Sequence, residues 1–182
     1  MITYRDNDVI KFIQDFKAAT TDTIAELFYP SLRVAQRRLR TLAEHGELKR
    51  EREHFTMQYY YYTKKPKQLR HRLIITNFYR ELSKIAEIVR FDTEVHFGDI
   101  RADGMIAYKY KNKAYIALLE AEISNKGVDM GKYENFQNTG KYKAFFPVFP
   151  QLIFITDRKI KKTDLEYIKV DEACRGIKLA PY

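Results

Sequence analysis

Hydrophobic residues in the first third of the chain recur at the spacing of short amphipathic helices. In "DNDVIKFIQDFKA" they fall three and four positions apart, which predicts a first helix. A second, short helix follows in "TTDTIAELFYP", where Thr20 or Thr21 can cap its start and Pro30 stops it. A third helix starts at a Ser31 cap in "SLRVAQRRLRTLAEHG" and ends at Gly46. Three helices joined by two short links predict a helix-turn-helix layout.

The pattern after Gly46 changes to one that is typical of strands. In "ELKREREHFTMQYYYYT" a charged stretch, a polar break at residues 54–58 and an aromatic run at residues 59–62 predict a two-stranded hairpin. A hairpin that follows three such helices is the wing of a winged helix. We therefore expect residues 1–65 to form a winged helix-turn-helix domain.

The remaining two thirds alternate between helical and strand-like patterns. A long amphipathic helix is predicted in "PKQLRHRLIITNFYRELSKIAEI", starting near Pro66. Three strand-like segments follow, "VRFDTEVHF", "IRADGMIAYKY" and "KAYIALLEAEI". A helix in "GVDMGKYENFQNTGKYKAFF" is interrupted by Gly140 and ended by Pro147, and the apolar run "QLIFITD" suits a buried strand. The predicted order for residues 66–182 is αβββαβ, with one further strand around "EYIKV", so the fold class is α+β.

Charge and cysteine content narrow the function classes. The 182 residues include 33 Lys and Arg against 24 Asp and Glu, a net charge of +9 that favours a polyanionic partner such as nucleic acid. No apolar run approaches the ~20 residues of a membrane span, and the first residues do not have the pattern of a signal peptide, so a cytoplasmic protein without a membrane partner is expected. Cys174 is the only cysteine, which excludes an intrachain disulfide and a cysteine-based zinc cluster.

The third predicted helix carries charges of one sign. Residues 31–42 contain no acidic residue and four arginines, Arg33, Arg37, Arg38 and Arg40. A helix that needs only solubility usually mixes signs, whereas an arginine face suits phosphates and base edges. The predicted wing is basic as well, with Lys49, Arg50, Arg52, Lys64 and Lys65.

The pattern "TIAELF…S…AQRRLRTLAEHGELKRE…YYYY" resembles the winged-helix DNA-binding domains of bacterial regulators and plasmid proteins. The resemblance implies that residues 31–42 are a recognition helix in the major groove of double-stranded DNA, with Ser31, Arg33 and Val34 nearest the bases. It also implies that the basic wing lies along the DNA backbone. The alternative is a winged helix used for protein contacts or dimerisation.

The segment "IRADGMIAYKYKNKAYIALLEAE", residues 100–122, carries three acidic residues at the ends of two predicted strands: Asp103, Glu120 and Glu122. With the predicted strand order, it resembles the core of the PD-(D/E)xK nucleases, or restriction-endonuclease-like fold. In that fold an Asp lies on the second strand, and a Glu and a Lys two residues apart lie on the third. Two carboxylates there hold a divalent cation, and this cation activates water. In this chain the cation would be Mg²⁺ or Mn²⁺. Asp103 and Glu120 match the acids, and Glu122 stands in the place of the lysine.

Three interpretations of these acids stay open. In an active nuclease, Lys126 or Lys132 from the following segment would replace the missing lysine, and Glu94 would add a third metal ligand. In an inactive relative of these nucleases, the domain would keep the nuclease fold but would not cut DNA. In the third, the carboxylates are unrelated to catalysis and pair with lysines.

The combination of a winged helix with a nuclease-like domain that contains "ADG" and "LLEAEI" resembles the replication-relaxation family of plasmid and phage proteins. The resemblance implies a sequence-specific DNA-binding protein that acts in replication, mobilisation or transcriptional control, with a nuclease-like domain that does not cut. It further implies a homodimer on a palindromic site and a replication or relaxase protein as a partner. Two alternatives are a metal-dependent endonuclease or nicking enzyme, and a subunit-pairing module built on residues 66–88 and the aromatic residues Phe145, Phe146 and Phe149.

Overall fold

The computed structural model describes residues 2–54 and 56–179, and the chain divides into two compact units at Arg80 and Glu81. Both units contain helices and a sheet, so the predicted α+β class is confirmed. Residue 55, in the predicted break of the wing, and residues 180–182 lie outside the described residues. Within the described part of the chain, no helix has the length and apolar character needed to cross a membrane.

The first unit has three helices and three short strands, followed by most of a fourth helix. In chain order these are α1 (Tyr4–Phe16), β1 (Ala19–Thr20), α2 (Thr21–Phe28), α3 (Leu32–Glu44), β2 (Lys49–Arg52), β3 (Tyr59–Tyr62) and α4 (Leu69–Ser83). The three strands form one antiparallel sheet in the order β1-β3-β2. The hairpin expected after the third helix is therefore present, and β1 adds a strand that the sequence pattern did not predict.

Side-chain caps explain why these helices begin where they do. Thr3 and Asp6 form a capping box at the start of α1, and Thr20 caps α2 by accepting a hydrogen bond from the Thr23 amide at 3.2 Å. Ser31 caps α3 through the Val34 amide at 3.4 Å. Each cap satisfies an amide that would otherwise lack a partner, so the sequence fixes the position of the first residue of α3.

Apolar faces of α1, α2 and α3 meet in the core of the first unit. The fully buried residues of this core include Val9, Ile13, Ile24, Leu39 and Leu42. An aromatic group extends the core toward α4, with the ring centroids of Phe12 and Tyr79 5.3 Å apart. Burial of one face of α3 leaves its opposite face for solvent or a partner.

The second unit is a five-stranded sheet with one principal helix. Its elements are β4 (Glu87–Phe97), β5 (Ile100–Tyr110), β6 (Lys113–Ala121), α5 (Met130–Asn138), a 3₁₀ turn (Lys141–Ala144), β7 (Gln151–Ile155) and β8 (Tyr167–Val170). The strand order is β4-β5-β6-β7-β8. The strand β5 runs antiparallel to both β4 and β6, whereas β7 runs parallel to β6 and β8 runs parallel to β7. The strand β8 lies where "EYIKV" predicts one.

The helix α5 covers one face of this sheet. Tyr133 and Phe136 are buried against Leu118 and Phe154, and the rings of Tyr133 and Phe154 are 5.6 Å apart. The helix is interrupted at Gly140 as predicted, because Gly140 adopts a left-handed conformation (φ 67°) that separates α5 from the 3₁₀ turn. The packing of α5 places its first turn next to the end of β6.

Candidate nucleic-acid interface and carboxylate site

Three of the four arginines in α3 lie on one exposed face. Arg33, Arg37 and Arg40 are all exposed, and their spacing of four and three residues places them one above another along the helix. Ala35 and Leu39 are fully buried and hold the opposite face against the core. The exposed face therefore presents three guanidinium groups to solvent.

Arg38 has a different environment from the other three arginines. Its Nε donates to Oδ1 of Asp6 at 3.2 Å, and its guanidinium also bonds Oδ2 of Asp6. The Arg38 side chain is 24% exposed and the Asp6 side chain 0%. The sequence grouped Arg38 with the exposed arginines. In the structure Arg38 lies a further 100° round the helix from Arg37, which turns it toward α1.

Asp6 is the centre of a buried hydrogen-bond network that the sequence pattern did not reveal. Its carboxylate also accepts from the Thr3 amide at 2.7 Å and from the Tyr29 hydroxyl at 3.0 Å. Burial alone would raise the pKa of Asp6, but the hydrogen bonds from Arg38, Thr3 and Tyr29 outweigh it, and the pKa lies well below its usual range. The Thr3 and Asp6 spacing was a signal for a helix cap; the partner on α3 could not be found from spacing.

The strand β2 presents two arginines on one face. Arg50 and Arg52 are exposed, and their guanidinium carbons lie 5.0 and 4.7 Å from the ring centroid of Tyr59. Stacking of this kind restrains an arginine without using its hydrogen-bond donors for a carboxylate. Lys49 and Lys64 are also exposed.

Glu51 lies between these arginines in sequence, and its side chain points to the opposite face of the strand. It accepts hydrogen bonds from the Tyr60 hydroxyl at 2.7 Å, the Tyr62 hydroxyl at 2.5 Å and Nζ of Lys65 at 2.6 Å. Lys65 and the two hydroxyls lower the pKa of Glu51 to about 2. Lys65, which the sequence grouped with the wing cations, is therefore paired with a carboxylate, whereas Lys49, Arg50 and Arg52 remain on the exposed basic surface.

The acids of the second unit meet at the end of β6. Gly104 of β5 lies opposite Leu119 of β6, and this register brings Asp103 beside Glu120. Oδ2 of Asp103 accepts from the Ala121 amide at 2.8 Å. The pair expected from the sequence is therefore adjacent in space.

Lys132 and Tyr133, from the first turn of α5, both contact Glu120. Nζ of Lys132 lies 2.9 Å from Oε1 and 2.7 Å from Oε2 of Glu120, and it donates to the Arg101 carbonyl at 3.0 Å. The Tyr133 hydroxyl donates to Oε2. Burial, followed by the charge of Glu120, raises the pKa of Tyr133. Tyr133 was missed by the sequence because its spacing marks it only as a core residue.

The other acids and the second lysine lie elsewhere. Oε1 of Glu122 accepts from the Ser124 amide at 2.6 Å, so Glu122 stabilises the turn after β6. Glu94 is exposed and has a left-handed backbone (φ 54°) in the middle of β4. Lys126 is exposed, and its amide donates to Ser124. Of the two lysines considered for the site, it is Lys132 that reaches Glu120.

The donor set at Glu120 does not fit Mg²⁺ or Mn²⁺ as it is arranged. Both carboxylate oxygens lie within hydrogen-bond distance of the Lys132 ammonium, and one also accepts from Tyr133. Among the described residues, no three His, Cys, Asp or Glu side chains are grouped so that they could hold a metal ion. A divalent cation at Glu120 would share these carboxylate oxygens with the Lys132 ammonium or compete with it for them.

Two surfaces with different chemistry result from these contacts. The first consists of the exposed arginines of α3 and the exposed cations of β2. The second is a cluster of Asp103, Glu120, Lys132 and Tyr133 beside the first turn of α5, in which Lys132 pairs with Glu120. Comparison of the chain with protein-family models, curated proteins and solved structures finds no match. Function is therefore inferred from these two surfaces.

Proposed function

We propose that this protein binds double-stranded DNA in a sequence-specific manner through α3. The observation that carries the proposal is that the four arginines of α3 have two different environments. Arg33, Arg37 and Arg40 share one exposed face, while Arg38 attaches the helix to Asp6. A helix held in this way presents guanidinium groups at fixed positions, as base readout in a major groove requires.

The order of elements in the first unit supports a winged helix. Its element order α1-β1-α2-α3-β2-β3 and its strand order β1-β3-β2 support this proposal, in which α3 is the recognition helix and β2 and β3 form the wing. In this proposal Ser31 and Arg33 lie nearest the bases. Lys49, Arg50, Arg52 and Lys64 contact phosphates, which position the protein without reading the sequence.

We propose that the second unit is a nuclease-like domain that does not cut DNA. Its antiparallel β4-β5-β6 segment, its parallel β7 and the helix α5 support a resemblance to the PD-(D/E)xK core. Lys132 reaches Glu120 as the active-nuclease interpretation expects. The loss of cutting is supported instead by the donor set, because among the described residues no three His, Cys, Asp or Glu side chains are grouped to hold a metal ion. The resemblance to replication-relaxation proteins is the basis for proposing a role in replication, mobilisation or transcription of a plasmid or phage.

A homodimer and a replication or relaxase partner follow from the same resemblance and stay predictions. A two-fold dimer would read a palindromic site, one half-site per recognition helix. Sedimentation of the protein with and without its DNA site would test the dimer.

The experiment that tests the proposal selects a duplex from a random library with the full chain and then measures affinity by fluorescence anisotropy. Arg33→Ala and Arg37→Ala should each weaken binding to the selected duplex by about 1–3 kcal/mol and relax specificity at one base pair. Arg90→Ala, which removes an exposed arginine of β4 in the second unit, is the matched control and should leave affinity unchanged. Full affinity and specificity in both α3 variants would refute the assignment of α3.

A further inference from the structure

We infer that the second unit carries its own DNA-backbone surface, formed by the loops that follow β6 and β7. This inference rests on the proposed function and extends it to a part of the chain that α3 does not include. The surface consists of exposed cations in residues 122–129 and 156–166: Lys126, Arg158, Lys159, Lys161 and Lys162.

The sheet topology brings the two loops together. The strands β6 and β7 are parallel, with Ala121 opposite Ile155 at their carboxyl ends, so both loops leave the same edge of the sheet. The Glu122 amide continues this pairing by donating to the Ile155 carbonyl at 3.0 Å. The Arg158 guanidinium then bonds Oδ1 of Asn125 and links one loop directly to the other. Lys126 and Arg158, which are 32 positions apart in the chain, thus lie on one surface by topology.

The cations of this surface are not neutralised locally. In the part of the chain that the structure describes, none of the five lies within ion-pair distance of a carboxylate. Glu122, Asp129 and Asp157 follow β6 and β7 in these loops, and two of these three acids accept hydrogen bonds from backbone amides. Glu122 accepts from Ser124 at 2.6 Å, and Asp157 accepts from Glu172 at 3.0 Å. An anion that approaches this edge therefore meets an excess of positive charge.

The loop after β7 is anchored on both sides of its lysines. Ile160 packs against the core cluster that contains Tyr133 and Phe136. The Thr163 hydroxyl donates to Oε1 of Glu134 at 2.6 Å, which ties the loop to α5. Lys159 and Lys161 flank the anchored Ile160, so their backbone positions are held next to the helix that also carries Lys132.

Acidic residues of the same segment lie at the other edge of the sheet. Asp164 and Glu166 line a groove together with Gln151, the first residue of β7, and Ala114, near the start of β6. Asp164 and Glu166 therefore lie at the edge opposite Ala121 and Ile155, whereas Glu122, Asp129 and Asp157 lie in the same loops as the five cations. All five cations are exposed and spread over two loops, so they suit an extended polyanion such as the backbone of duplex DNA better than a small enclosed phosphate.

The test uses the full chain and a duplex of unrelated sequence, with binding measured over a range of NaCl concentrations. The variant K159Q/K161Q/K162Q removes three charges from the surface, and K109Q/K111Q/K113Q removes three from the β5-β6 hairpin at the opposite edge as a matched control. We expect the first variant to lower the slope of log affinity against log salt by about 2–3, at about 0.9 per lost phosphate contact, and the control by less than 1. Thermal unfolding followed by circular dichroism checks that both variants fold.

The outcomes separate this inference from the proposed function. If the first variant changes the slope no more than the control does, the DNA-backbone surface of the second unit is refuted. The role of α3 is then still tested separately by the effect of Arg33→Ala and Arg37→Ala on binding to the selected duplex. If the arginine variants keep full specificity while K159Q/K161Q/K162Q lowers the slope, the role of α3 is refuted and the surface stands. If the unmodified chain binds no duplex at any salt concentration, both are refuted.

Discussion

Arg38 of α3 and Asp6 of α1 form an ion pair in which the acid is buried and the arginine is partly exposed. Nε of Arg38 lies 3.2 Å from Oδ1 of Asp6, and the Asp6 side chain is fully buried. The two residues are 32 positions apart in the chain. Because Arg38 directly follows Arg37, the pair fixes the rotation of α3 and with it the direction in which Arg33, Arg37 and Arg40 point.

Removal of the acid should destabilise the first unit. Asp6→Ala leaves Arg38 without its partner and should lower the free energy of unfolding by about 3 kcal/mol, as measured by urea denaturation. Asp8→Ala, which removes an exposed acid from the same helix, is the control and should change stability by less than about 0.5 kcal/mol. Equal effects of the two substitutions would contradict the role assigned to Asp6.

The contribution of Asp6 should depend on pH in a defined direction. Its pKa in the folded protein is lower than the ~3.9 of an unfolded chain, so the unfolded state binds the proton first as pH falls. The stabilisation by Asp6 is therefore complete above about pH 5 and declines as pH falls below about 4 toward the folded pKa. The difference in unfolding free energy between the unmodified chain and Asp6→Ala should be constant from neutral pH to about pH 5 and then shrink. A difference that grows on acidification would show that another group dominates.

The carboxylate cluster should not support cutting. Supercoiled plasmid incubated with the protein and Mn²⁺ should show a mobility shift without nicking, because among the described residues no three His, Cys, Asp or Glu side chains are grouped to hold a metal ion. Asp103→Asn serves as the comparison. Nicking that requires Mn²⁺ and is lost in Asp103→Asn would instead mean that a metal binds at this cluster and that the protein is a nuclease.

Lys132 should matter for stability rather than for metal binding. Lys132→Met leaves Glu120, whose side chain is 17% exposed, without its counter-ion and should lower stability by about 1–3 kcal/mol. Adding Glu120→Gln should recover part of this loss, and a double-mutant cycle should give a coupling energy of about 1–2 kcal/mol. A coupling near zero would show that the two groups are independent.

The wing arginines should contribute to affinity without contributing to specificity. Arg50→Ala with Arg52→Ala should weaken binding to all duplexes and lower the salt slope by about 2. Lys65→Ala is the control, because Lys65 is already paired with Glu51 and should lower the slope by less than 1. A loss confined to the selected duplex would place the wing among the base-reading elements.

Gly104, next to Asp103, should not tolerate a side chain. A Cβ at this position would lie 2.9 Å from Cε1 of Phe91 and 3.3 Å from the Asp92 carbonyl oxygen, so Gly104→Ala should cost about 1–3 kcal/mol. Gly131→Ala in α5 is the matched control, because the nearest atom to its Cβ would be 3.5 Å away and alanine favours a helix. Similar losses in both variants would argue against a packing conflict at Gly104.

The helices and strands could be predicted from the sequence because their causes are local. The Ser31 cap, the buried positions of α3 and the turn at Gly46 lie within one segment, and α3 spans Leu32–Glu44 as this pattern indicates. The strand β5 spans Ile100–Tyr110, the segment that its pattern predicts. The sheet register then brings Asp103 beside Glu120, the pair expected from the sequence.

The partners of charged side chains were decided only by the tertiary structure. Spacing in the sequence predicted the same DNA-binding role for Arg37 and Arg38. The position of Asp6 makes Arg38 part of an ion pair, whereas Arg37 is exposed. Spacing likewise placed Glu122 where a lysine was expected, whereas the packing of α5 on the sheet brings Lys132 to Glu120 from another element. The physical reason is that periodicity assigns a residue to a face of its own helix or strand, while an ion pair forms only when a second element brings the opposite charge within a few ångströms.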